Sequence, residues 1–135
     1  MKKILLSGLV AGAILFVISY GSLLVAIKYF PAFFTGYNNP LFNSDGSRDA
    51  LFYLHAFVIS FALSWFWDRF KTLLKGPFIM RGIEFGLVYG IIALAPVMWI
   101  TFSSLDITLG MVVSWFFYGL AQASIAGIIF AKLNP

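Results

Sequence analysis

The sequence predicts an all-α protein, an antiparallel four-helix transmembrane bundle with both termini on the cytoplasmic side (N-in/C-in), and three observations predict it. Of 135 residues, 61% are hydrophobic and 10% charged, against about 45–50% and about 25% in soluble domains. A chain this short cannot hide that much apolar surface in a core of its own, because small domains bury only about 60–70% of what the unfolded chain exposes. Finally, four apolar windows, residues 4–27, 50–67, 83–102 and 109–131, approach the roughly 20 residues that cross a bilayer. They take up nearly the whole of residues 1–135, which read as a single transmembrane domain with no room for a soluble catalytic one.

The first window follows Lys2 and Lys3, and Ser19-Tyr20-Gly21 resembles a signal cleavage site. The apolar run continues through Leu23, Leu24, Val25 and Ile27, past the about 7–15 residues of a signal core, so a retained helix is expected. The connection after it mixes turn formers (Pro31, Gly36, Asn38, Asn39, Pro40, Gly46) with Phe30, Phe33, Phe34, Tyr37 and Phe42. So many aromatic rings predict a loop that folds back onto the bundle mouth. Asn43, Asp45, Ser47 and Asp49 alternate like a calcium loop, but Leu54 stands where the twelfth-position acid belongs. Ser47 or Asp49 is instead expected to cap the second helix.

In the second window His55 is the sole histidine, about two turns from the helix start. Ionisable groups at that depth are costly and count as functional candidates. The plainer expectation is a neutral imidazole bonded to Tyr20 or to the carbonyl that Pro96 frees in helix three. One histidine without cysteine does not make an ordinary metal site. The connection from Asp68 to Gly82 then combines charges with Phe70, Leu73, Leu74 and Phe78, as an amphipathic piece on the membrane surface would.

Helix three opens MRGIEFGLVYG. Glu84 points about 200° away from the stripe of Gly82, Gly86 and Gly90. Arg81, three positions earlier, is expected to pair with it near the interface. In helix four Gln122 is expected to find Tyr89 as a partner across the bundle. Small residues recur every four positions in three helices: Gly8 and Gly12; Gly82, Gly86 and Gly90; Gly119, Ala123 and Gly127. Such stripes let backbones approach closely.

Seven of the nine basic residues (Lys2, Lys3, Arg69, Lys71, Lys75, Arg81 and Lys132) fall on the side shared by the termini and the second connection. The positive-inside rule makes that side cytoplasmic. The net charge of +4 is thus a topology signal, and no nucleic-acid partner is expected.

No phosphate loop, HExxH or CxxCH occurs, and cysteine is absent. No enzyme, cofactor or metal is therefore expected. The basic start before LLSGLVAGAILF, the RGIEFGLVYGII opening of helix three and the SWFFYGLAQASIAGIIFAK pattern of helix four resemble small bacterial four-helix integral membrane proteins of uncharacterised families. That resemblance implies a multi-pass fold in the bacterial inner membrane and carries over no site residue. Two functions are consistent with the residues. One is a non-enzymatic membrane module binding lipids or a membrane protein partner, with homo-oligomers as one form of partnership. The alternative is a small oligomeric transporter or channel with Glu84 and His55 as polar stations. Candidate functional side chains are Glu84, His55, Gln122, Tyr20 and Tyr89.

Overall fold

The structure, a computed structural model, describes residues 1–42 and 45–135. Asn43 of the alternating polar set lies outside the described residues, as does the side chain of Phe33. All regular structure among the described residues is helical. Four helices are long and apolar enough to cross a membrane: α1 (Lys2–Tyr29), α2 (Asp49–Phe70), α3 (Phe78–Ser104) and α4 (Leu109–Leu133). Each outruns its apolar window, because the stems of Lys and Arg let a helix continue into the interface where hydropathy alone stops.

The helix ends follow local chemistry. Thr108 caps α4, its hydroxyl accepting from the Met111 amide at 3.3 Å. At α2 the expectation of a Ser47 or Asp49 cap is corrected: Arg48 holds the cap position and no side-chain cap bond forms. The turn is closed by backbone, with Asp49 N–H donating to the Gly46 carbonyl, and Gly46 takes the left-handed conformation that glycine favours. Pro77 precedes the first turn of α3, where its missing amide costs nothing. Within α3, residues Gly90–Leu94 form a π turn immediately before Ala95-Pro96. Proline denies the helix one amide and crowds the carbonyl four residues back, so a wider turn relieves the ladder there.

Packing is built from two close pairs, α1 with α2 and α3 with α4, joined through contacts of α4 with α1 and α2. On α3, an added methyl at Gly82 would run into the Ile128 backbone, one at Gly86 into Ser124, and one at Gly90 would meet Leu120. On α1, Gly8 faces the Phe61 ring and Gly12 the Phe57 ring. The second helix, which glycine spacing passes over, carries its own small stripe: Ala56, Ser60 and Ser64 are all buried. Outside these contacts the surface is apolar, with Trp99 80%, Ile91 71% and Leu73 70% exposed. Water would not tolerate that surface, but hydrocarbon does.

Candidate functional site

Three features concentrate the chemistry. At the end where the termini meet the α2–α3 connection, Asn134 is fully buried and ties the chain together. Its carbonyl accepts from Trp67 Nε1 at 2.9 Å, its Oδ1 accepts from Lys71 Nζ at 2.7 Å, and its Nδ2 donates to Asp68 Oδ1 at 3.0 Å. Lys71 also pairs with Asp68 at 3.3 Å. Nearby, Ser7 and Ser64 share a hydrogen bond of 2.8 Å between α1 and α2.

Arg81 joins this cluster, which corrects its expected pairing with Glu84. Its Nη2 donates to the Lys71 carbonyl at 3.1 Å, and its guanidinium lies 5.2 Å from the Trp67 ring centre. The last carbonyls of a helix lack intrahelical partners, so the end of α2 offers Arg81 an acceptor, and a buried indole offers it a face. Glu84 is left exposed and has no hydrogen bond or ion pair among the described residues.

The opposite end holds a cavity of about 40 Å³ between α1, α2 and α4. Ser19, Tyr20, His55, Tyr118 and Gln122 all line it. That volume holds a water or two and no larger ligand. Gln122 is 5% exposed and its Nε2 donates to Ser19 Oγ at 3.2 Å, so its partner is Ser19 on α1 and not Tyr89. Tyr20 packs edge-on against Tyr53 at 5.7 Å. His55 lines this pocket but is exposed and has no hydrogen bond among the described residues, in place of the expected bond to Tyr20 or to a carbonyl of α3. Above it the first connection folds back as expected, in a 3₁₀ helix (Pro31–Asn38) whose Tyr37 hydroxyl accepts from Trp115 Nε1 at 2.6 Å.

Tyr89 belongs to the third feature, a lateral cleft of about 380 Å³ between α2 and α3. Ala62, Leu63, Trp65 and Phe66 form one wall, and Val88, Tyr89, Ile92 and Ala93 the other. The residue sizes explain it. Phe66 and Trp67 meet Phe85 at 5.6 and 5.3 Å between ring centres and wedge the helices apart at the terminal end, while Ala62 and Ala93 leave the gap above unfilled. The volume lies in the about 300–1,000 Å³ range of ligand sites. Of the wall residues only Tyr89 and Trp65 have side chains with a polar atom.

The sequence reading thus named five polar candidates that the fold divides. His55, Gln122 and Tyr20 come together around the small cavity, Tyr89 lines the cleft, and Glu84 stands on the outside of α3. Asn134 and the small stripe of α2 were missed. Comparison with protein-family models, curated proteins and solved structures finds no match.

Proposed function

We propose that this chain is a multi-pass protein of the bacterial inner membrane, an antiparallel bundle with both termini cytoplasmic, and that it works as a non-enzymatic module binding lipid in its lateral cleft. The helix order is supported by contact register: Gly82 meets Ile128 and Gly90 meets Leu120, while Gly8 meets Phe61 and Gly12 meets Phe57. Residue numbers rise along one helix as they fall along its neighbour. The orientation is supported by the seven basic residues at the terminal end.

The cleft carries the functional reading. It opens between two membrane-length helices and its walls are almost wholly apolar. The ligand that fits such a site is a hydrocarbon chain entering sideways from the bilayer. A pore within one copy finds less support, because His55 and Glu84 are both exposed and lie towards opposite ends of the bundle, with no continuous polar path between them among the described residues.

Native mass spectrometry of protein released from nanodiscs tests this. Retained phospholipid, reduced severalfold by Ala62→Trp because the indole fills the cleft, is the expected result. A lipid-free higher oligomer would refute the module and favour the transporter.

A further inference from the structure

We propose that the terminal-end mouth of the cleft selects phospholipids whose headgroup carries a primary amine beside its phosphate, with Arg69 holding the phosphate and Glu84 the ammonium. This rests on the lipid-cleft reading and adds the chemistry of the headgroup.

The two walls end in opposite charges. On α2 the Arg69 guanidinium lies 5.0 Å from the ring centre of Trp65, itself a wall residue. On α3 Glu84 stands one turn before Val88 of the opposite wall. Arg69 and Glu84 form no ion pair with each other; the ion pair found among the described residues is Lys71 with Asp68. Arg81, a nearby cation on α3, is held by the Lys71 carbonyl and the Trp67 ring.

Glu84 is six residues into α3, about 9 Å along the helix at 1.5 Å per residue. Its carboxylate is exposed and has no ion pair among the described residues, so it is open to a cation. The ligand supplies the counter-charge.

Direction agrees with the arrangement of such a lipid. Helical side chains lean towards the N-terminus of their own helix. In an antiparallel pair, Arg69 leans inward, as its contact with Trp65 shows, and Glu84 leans outward to water. The phosphate then sits deeper and the amine nearer the surface, which is their order when the acyl chain enters the cleft. A purely anionic headgroup would bring its charge against Glu84. A quaternary amine has no N–H to donate to the carboxylate and would need an aromatic cage, yet the face of Trp65 is already taken by Arg69.

The test uses the full chain in nanodiscs containing equal parts of phosphatidylethanolamine, phosphatidylcholine and phosphatidylglycerol with matched acyl chains, and native mass spectrometry to read which lipids leave with the protein. Wild type is expected to retain phosphatidylethanolamine about two- to fivefold over phosphatidylcholine, the size of an exposed ion pair. Glu84→Gln should erase that preference while total retained lipid stays constant, and Arg69→Gln should lower all three lipids. Equal retention of the three by wild type, or a preference that survives Glu84→Gln, overturns the headgroup assignment and leaves the cleft standing. A lipid-free dimer that separates on Glu84→Gln also overturns it, assigning Glu84 to a second copy. Failure of the cleft itself reads out separately, as lipid retention that Ala62→Trp does not change.

Discussion

Along the α3–α4 seam Gly82, Gly86 and Gly127 meet backbone, whereas along the α1–α2 seam Gly8 and Gly12 meet phenylalanine rings. A methyl added at Gly82 would come within 2.6 Å of Ile128 Cα, and one at Gly86 within 2.8 Å of Ser124 Cα. Methyls at Gly8 and Gly12 would strike Phe61 and Phe57 ring carbons at 2.7 and 2.6 Å. The four-residue spacing is the same, but the give differs. A ring can turn about χ1 and χ2, and a helix backbone moves only as a whole helix.

The sharpest way to break the comparison is to overfill each seam equally. Gly86→Leu should cost at least the upper end of the about 1–3 kcal/mol usual for overpacking, because the α3–α4 pair must separate. Thermal unfolding in detergent, followed by tryptophan fluorescence, should show loss of the cooperative transition. Gly8→Leu should retain a transition at lower temperature. Equal collapse of both would show that the rings on α2 are as immovable as backbone.

Asn134 is the next largest effect, since it ties the end of α4 to α2. Asn134→Ala removes a hydrogen bond from Lys71 and one to Asp68 but leaves those two paired with each other. The expected cost is about 1–3 kcal/mol, measured as the midpoint shift in a denaturant titration. A smaller loss than that of Ser7→Ala would mean that the chain end frays in the membrane.

Most of the fold was legible in the sequence because the bilayer imposes a single length and a single polarity on each span. The helix-three window began at 83 only because Arg81 interrupts the apolar run, although Gly76-Pro77 already marked the turn. Register around the helix was the harder quantity. Depth counting put Gln122 level with Tyr89, but level says nothing about which neighbour lies alongside, and Gln122 bonds Ser19 instead. The stripe of Ala56, Ser60 and Ser64 escaped notice because serine reads as polar, although its volume lets it act as a small packing residue in lipid. The cleft was invisible for a related reason: it arises from the sizes of residues on two helices that are distant in sequence.

Smaller substitutions sharpen the same contrast. Gly8→Ala sets a contact at 2.7 Å against the helix-propensity gain of about 1 kcal/mol over glycine, so the net change should be within about 1 kcal/mol of zero. Gly21→Ala is the control, with nothing beyond its own stretch of helix within 4 Å of the new methyl, and should stabilise by up to about 1 kcal/mol. If Gly21→Ala does not raise the melting temperature, intrinsic propensity is silent in this bundle and the Gly8 result reports only the ring.

The smallest effect lies in the polar contact at the terminal end of the α1–α2 seam. Ser7 and Ser64 hydroxyls lie 2.8 Å apart, and each is also within donating distance of a carbonyl of α1, Ser7 of Lys3 at 2.7 Å and Ser64 of Ile4 at 2.8 Å. Each hydroxyl has only one proton, so the three bonds cannot all be made at once. Ser7→Ala then leaves Ser64 free to donate to Ile4, and the loss should be about 0.6 kcal/mol, the average for interhelical hydrogen bonds in a membrane. Ser64→Ala should cost more, because it removes both of the bonds that join α2 to α1 there. A double-mutant cycle on the pair measures the coupling. A value near zero would mean that the ring contacts at Gly8 and Gly12 hold this seam without help from the hydroxyls.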